Sequence, residues 1–108
     1  MQSDYCIVLI TAPNRESGRQ IARRLVEERL AACVNLLQGV TSFYRWEGQL
    51  NEDEEVLLIC KTRHEHFERL QIEVKAIHPY QVPEVIALPL TAGLEAYLHW
   101  VDESVRRD

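Results

Sequence analysis

The alternation of apolar and polar positions divides the chain into short segments with the periods of strands and helices. Residues 5–11 form an unbroken apolar run that ends before Pro13, which is typical of a strand buried on both faces. After Asn14, apolar residues recur every three to four positions, which predicts a helix with Asn14 as its N-cap. In chain order, the pattern predicts a strand at 5–11, a helix at 14–30, strands at 32–46 and 54–62, a helix that ends before Pro79, a strand at 85–90 and a C-terminal amphipathic helix.

The two central strands are predicted to form a long hairpin. Gly39 marks a bend in the first of them, and residues 47–51 are predicted as the loop. The alternate residues beyond the bend share one face of the strand: Val40, Ser42, Tyr44 and Trp46. The acidic run 52–55 is interpreted as a solvated hairpin end that discourages edge-to-edge aggregation. Thr62 and Glu65 have the spacing of a capping box, which predicts the start of the next helix.

The order of these elements is that of the ferredoxin-like fold. A β-α-β-β-α-β sequence followed by a helix is a split βαβ arrangement of the α+β class, and its right-handed crossovers place both internal helices on one face of the sheet. The strands are nevertheless apolar on both faces, with Val8 and Ile10 opposite to Ile7 and Leu9. Because two helices cover only one face, we expect this single domain (1–108) to associate with copies of itself.

Composition and charge narrow the classes of function. The 108 residues are 46% hydrophobic, and 12 Lys and Arg against 17 Asp and Glu give a net charge of −5. An acidic chain is a poor partner for nucleic acid or for an anionic membrane surface, and no stretch has the roughly 18–20 apolar residues of a membrane span. We therefore expect a cytoplasmic protein, with its three cysteines as buried free thiols. Because no Gly-rich phosphate loop, G-x-S-x-G or H-E-x-x-H motif is present, we do not expect an enzyme.

A few charged residues among the apolar segments are candidates for binding chemistry. His78 follows a forced helix stop, and its imidazole is at even odds a ligand or metal contact or a helix C-cap. His64 and His66 do not share a helix face and are expected at the surface. Lys61 follows Ile59 on one face of a strand, where an unpaired charge is costly, so it needs a carboxylate or an anionic ligand.

Aromatic residues predict a cleft beside these charges. Tyr44 and Trp46 share a strand face, and with Tyr80 they form either the aromatic wall of a pocket or part of a subunit interface. We favour an interface with a cleft beside it. A metal site assembled at such an interface from His78 and a carboxylate such as Glu84 stays open.

Five blocks of the chain occur in the order found in one known family. They are Thr11-Ala12-Pro13, Leu30-Ala31-Ala32-Cys33-Val34-Asn35, Ser42-x-Tyr44-x-Trp46-Glu47-Gly48, Lys61-Thr62 and His78-Pro79-Tyr80-x-x-Pro83-Glu84. With them the chain resembles the CutA family, the small divalent-cation tolerance proteins. The resemblance implies a ferredoxin-like subunit in a tight homotrimer, with long hairpins that pair between subunits and with clefts at the subunit boundaries.

The same resemblance implies copper or another divalent cation as the bound species. In the family, copper binding is attributed to a Cys at the end of the first strand and to a His-His pair before Pro-Tyr. The corresponding positions here hold Ile10, Ile77 and His78, so one donor of three is present and we expect copper binding through His78 to be weak. The residues of the implied cleft are Tyr44, Trp46, Lys61, His78, Tyr80 and Glu84.

Two functions therefore remain open. The first is a cytoplasmic homotrimer of the CutA type that takes part in the response to metal ions. The alternative is a signalling module similar to the trimeric PII-type proteins, which would bind a small anion or a nucleotide at the subunit clefts. In that case Lys61 would hold the acidic group of the ligand. A rigid trimeric scaffold for another protein ranks last.

Overall fold

The protein is an α+β sandwich of helices on a four-stranded antiparallel sheet, as the ferredoxin-like pattern predicts. The computed structural model describes residues 4–107. Its elements are β1 Tyr5–Ala12, α1 Arg15–Glu27, β2 Cys33–Trp46, β3 Gln49–Arg63, α2 Phe67–Ile77, β4 Val85–Pro89 and α3 Glu95–Ser104. The strands lie in the order β2-β3-β1-β4. None of the helices within residues 4–107 is long and apolar enough to cross a membrane.

One face of the sheet packs against α1 and α2 and forms the main core. Alternate residues of β1 point into this core, and the side chains that form the core are buried. The largest of them are Ile10 and Leu58 from the strands and Ile21, Leu25 and Leu70 from the helices. Ile10, at one of the family's copper-ligand positions, is therefore a core residue with no exposed surface.

The second face of the sheet, called here the open face, is only partly covered. Strand pairing places Leu9 beside Ile59 and Ile86 on this face. The helix α3 packs at one end of it, where Val101 and Val105 contact Tyr5. At the edge strand β4 the large side chains remain about half exposed, 49% for Ile86 and 47% for Leu88. The prediction of a sheet that two helices leave uncovered is thus correct for the single chain.

A bulge in β2 positions the outer half of the hairpin. The register of β2 against β3 shifts between Leu37 and Val40, and Gly39 has a φ of +80°, which confirms the predicted bend. The extra residue changes which alternate positions of β2 share the open face. Beyond it, Ser42 pairs with Asp53, so the predicted face of even-numbered residues continues the open face.

Several local predictions were wrong. The hairpin turn is only Glu47-Gly48, both with positive φ, so β3 already begins within the predicted 47–51 loop. Thr62 caps no helix, because it is still in β3 and its buried hydroxyl donates to the Leu30 carbonyl at 2.7 Å. His66 is buried at 3% exposure rather than solvated. By contrast, the predicted cap at Asn14 is confirmed: its Oδ1 accepts from the amide of Ser17 at 2.9 Å.

Candidate functional site

A cleft lies where the open face meets the loop that follows α2. Its volume is about 620 Å³. Three of its lining side chains, Tyr44, Trp46 and Glu55, come from the hairpin strands, and Tyr80 and Glu84 come from the loop. The remaining lining residues are Thr11, Ser42, Phe43, Pro79, Gln81 and Val82. Four of the six residues of the sequence-predicted cleft therefore line one cavity.

The floor of the cleft is a hydrogen bond between Tyr80 and Glu55. The Tyr80 hydroxyl donates to Oε2 of Glu55 at 2.6 Å, and Glu55 is only 7% exposed. Burial and this hydrogen bond to a carboxylate both raise the pKa of the Tyr80 phenol above its usual value. The bond ties the loop after α2 to β3, so it fixes the two walls of the cleft relative to each other.

A second phenol–carboxylate pair lies nearer the hairpin turn. The Tyr44 hydroxyl donates to Asp53, and both residues are exposed. The hydrogen bond to this carboxylate, followed by partial desolvation, raises the pKa of the Tyr44 phenol. On the opposite wall, the hydroxyl of Thr11 donates to Glu84 over a long 3.5 Å. The polar chemistry of the cleft is therefore that of carboxylates and phenols.

His78 does not line the cleft itself but contacts Tyr80, which does. Because Pro79 follows, His78 leaves the helical conformation at the end of α2 with φ −73° and ψ 137°. The backbone N–H of Tyr80 donates to Nδ1 at 3.0 Å, which makes Nε2 the protonated nitrogen, and Nε2 donates to the carbonyl of Thr11 at 2.7 Å. The ring is 8% exposed and lies 4.9 Å from the ring of Tyr80. His78 thus holds Tyr80 in place, and both of its nitrogens are occupied.

Lys61 lies away from the cleft, on the same face of the sheet. It is six residues along β3 from Glu55, which corresponds to about 20 Å in an extended strand. Its ammonium donates to Asn35 and lies 3.8 Å from Sγ of Cys33. Within residues 4–107, no carboxylate pairs with Lys61, so of the two predicted partners, a carboxylate or an anionic ligand, the single chain does not supply the first. A single chain therefore does not bring Lys61 together with Tyr80.

The residues present do not fit a tightly bound copper ion within one chain. Among residues 4–107, no three His, Cys, Asp or Glu side chains converge in a way that could hold a metal ion. His78 would have to give up a hydrogen bond to ligate one. Burial raises the pKa of the Cys60 thiol to about 12 and also raises that of Cys6, which keeps both thiols protonated.

Sequence reasoning missed the buried carboxylate of the site. Glu55 was assigned to a solvated acidic run, whereas it is the one buried member of that run. The available signal was its spacing: Glu55 lies two residues before Leu57 and four before Ile59, so it shares their strand face. The acidic neighbours on both sides concealed this periodicity.

The fold and the site define a ferredoxin-like α+β protein with an acidic, aromatic cleft on a partly uncovered sheet face. The family model of the CutA1 divalent ion tolerance protein matches residues 6–104. The chain therefore belongs to the CutA1 family, as its five sequence blocks predict.

Known relatives agree with this assignment along nearly the whole chain. The divalent-cation tolerance protein CutA of Thermus thermophilus is 54% identical over 98 residues, which cover 91% of this chain and 95% of that protein. The chloroplastic CutA protein of Arabidopsis thaliana is 51% identical, and the match spans 55% of its length. The crystal structure of CutA1 from Oryza sativa superposes with a TM-score of 0.95 at 45% identity, covering 99% of this chain and 98% of that one.

Proposed function

We propose that this chain acts as a cytoplasmic homotrimer in the response to divalent metal ions. The relatives that carry the name divalent-cation tolerance protein support the metal response. The observation that supports assembly is the open face, where large apolar side chains remain in contact with water. The number of three subunits follows from the family resemblance.

Several large apolar side chains of the single chain are exposed on its sheet. Ile86 and Leu88 on β4 and Leu37 on β2 are each more than 40% exposed. The outer hairpin also exposes Phe43 at 66% and Leu50 at 72%, which the register places on the opposite face from Ser42 and Tyr44. Exposed apolar patches can mark interaction surfaces, and a long hairpin with free edges offers strand pairing to a neighbour. A second and third copy of the chain would cover both.

The assembly is tested by placing a charge on the open face. We expect light scattering after size exclusion to give a trimer mass for the wild type and a smaller species for Leu88→Glu. Ile72→Glu is the matched control, since Ile72 is 62% exposed on α2, on the opposite side of the sheet. A folded wild-type monomer at nanomolar concentration would contradict the proposal.

For the metal, we propose weak contact with copper through His78. The ring has to break its bond to Thr11 or to the Tyr80 amide before either nitrogen can bind an ion, and this cost lowers the affinity. Calorimetric titration with Cu²⁺ should give a dissociation constant weaker than about 10 μM, and His78→Gln should weaken it further. His99→Gln is the control at an exposed histidine. Tight binding that His78→Gln leaves unchanged would refute this assignment.

The second candidate function is a ligand-binding signalling module. The observation that favours it is the cleft itself, because a volume of about 620 Å³ falls within the roughly 300–1,000 Å³ typical of small-molecule sites. An anionic ligand such as a nucleotide would need Lys61 from a neighbouring subunit, since no lysine or arginine lines the cleft. A thermal-shift screen of nucleotides and carboxylates, repeated with Lys61→Ala, tests this version. No shift with any of them would exclude an anionic ligand.

A further inference from the structure

We propose that the cleft binds an organic cation, namely the ammonium group of a small molecule. The inference rests on the second candidate function, because it takes the cleft as a ligand site and specifies the chemistry of the ligand. It reverses the sign of charge expected for a PII-like ligand.

The first argument is the charge of the cleft. Two carboxylates, Glu55 and Glu84, line it, and Tyr44 connects it to a third at Asp53. Within one chain, none of its lining residues is a lysine or an arginine. Glu55 is 7% exposed and has Tyr80 as its side-chain donor, and a carboxylate can accept further bonds. A cationic ligand would supply a positive charge to pair with the buried carboxylate of Glu55.

The second argument is the aromatic wall. Tyr44, Trp46 and Tyr80 line the cleft together with the carboxylates. The faces of such rings attract cations, and a ligand ammonium group among several rings is a well-known use of this attraction. Ring faces combined with carboxylates favour an alkylated or primary ammonium over an anion, which the same rings and carboxylates would repel.

The third argument excludes a bare metal ion as the natural occupant. A divalent ion needs several oxygen, nitrogen or sulfur donors at short distance. Among residues 4–107, no group of three His, Cys, Asp or Glu side chains is close enough to hold one. An organic cation does not need several donor atoms at one point, because it is bound through its contact area with the walls and through negative charges distributed over the cavity. The size of the cleft also suits a small molecule better than an ion.

The experiment compares two probes of nearly equal shape and different charge. Choline carries a quaternary ammonium group, and 3,3-dimethylbutan-1-ol is its neutral carbon analogue. Both are titrated into the full-length wild-type protein, and two-dimensional ¹H–¹⁵N NMR follows the two tryptophan indole signals. We expect choline to shift the signal of Trp46 in the cleft and to leave that of Trp100 on α3 unchanged. The dissociation constant of the neutral analogue should be at least about tenfold weaker.

Variants separate the charge from the general shape of the cleft. Glu84→Gln and Glu55→Gln should each weaken choline binding about fivefold or more. Glu54→Gln is the matched control, because Glu54 is an exposed residue of the same strand that bonds Thr41 and does not line the cleft. Glu84 is exposed, so its variant is expected to fold even if Glu55→Gln does not. Trp46→Leu should abolish the preference for choline over the neutral analogue.

Four results would overturn the inference. They are equal binding of choline and its neutral analogue, tighter binding of acetate or AMP than of choline, choline binding that Glu84→Gln and Trp46→Leu both leave unchanged, and absence of choline binding by an intact trimer. Because light scattering measures assembly on the same samples, this failure is distinguishable from failure of the proposed trimer.

Discussion

The hydrogen bond between Tyr80 and Glu55 should be a major source of stability at the cleft. Tyr80→Phe removes only the hydroxyl and leaves the ring in contact with His78. The carboxylate of Glu55 then remains 7% exposed without its phenol donor. A hydrogen bond to a charged group contributes about 1.5–3 kcal/mol, and its loss leaves a buried charge without that donor. We therefore expect Tyr80→Phe to lower the free energy of unfolding by about 2 kcal/mol.

The chain offers a control with the same chemistry in a different environment. Tyr44→Phe also breaks a phenol–carboxylate bond, but Tyr44 and Asp53 are both exposed, so water replaces the lost partner. The expected loss of stability is therefore clearly smaller than for Tyr80→Phe. Burial of the carboxylate is the main difference between the two substitutions.

The measurement is guanidinium unfolding followed by circular dichroism at pH 7 and at one fixed protomer concentration, because assembly makes apparent stability depend on concentration. Tyr80→Phe, Glu55→Gln and the double variant complete a mutant cycle, which isolates the energy of the pair. We expect a coupling of about 1–2 kcal/mol. The reasoning fails if the coupling is below about 0.5 kcal/mol, or if Tyr80→Phe is no more destabilising than Tyr44→Phe.

Three further predictions concern stability and pH. Thr62→Val should cost about 1–2 kcal/mol in denaturant unfolding, because it leaves the buried Leu30 carbonyl without its 2.7 Å donor, whereas the exposed Thr41→Val should be nearly neutral. Desolvation raises the pKa of Asp102, but hydrogen bonds from Tyr5 and Arg63 outweigh it, so the pKa of the folded protein's carboxyl lies below 3.8. The ionised carboxylate therefore stabilises the fold above pH 3.8, and this contribution is lost as the pH falls further. Asp102→Asn should accordingly make stability depend less on pH in the acid range. All four tyrosines have raised pKa values, so absorbance at 295 nm should show the phenols of the folded protein ionising above pH 10. The free energy of unfolding should fall from pH 10 upward, because the unfolded chain loses its phenolic protons at lower pH than the folded protein does. Ionisation of the folded protein centred at pH 10 would contradict this prediction.

The periodic parts of the fold could be predicted from the sequence because each repeats one local rule. The apolar run of β1 and the seam of α2 both specify their element by spacing alone. The bend at Gly39 was predictable as well, since a glycine is the common residue where a strand needs a positive φ. These features need no knowledge of distant contacts.

The errors arose where a distant residue decides the outcome. Thr62 resembles a helix cap in sequence, but its hydroxyl donates a hydrogen bond to the carbonyl of Leu30, which lies 32 residues earlier in the chain. Glu55 resembles a solvated residue until Tyr80, 25 residues on, supplies a donor. The placement of Lys61 in a cleft between subunits stays a prediction, since a single chain keeps it apart from Tyr80 along β3. Local patterns carry no information on such partners.

Because of the bulge at Gly39, the number of residues in β2 decides which of its side chains line the cleft. Because side chains alternate along a strand, removing one residue between Leu37 and Val40 would turn the rest of the hairpin over. Thr41, Phe43 and Arg45 would then face the loop after α2, in place of Ser42, Tyr44 and Trp46. A relative with a one-residue deletion there would keep the same letters downstream and yet present an arginine and a phenylalanine in place of Tyr44 and Trp46, so alignments of such proteins should be compared for gap position before residue identity.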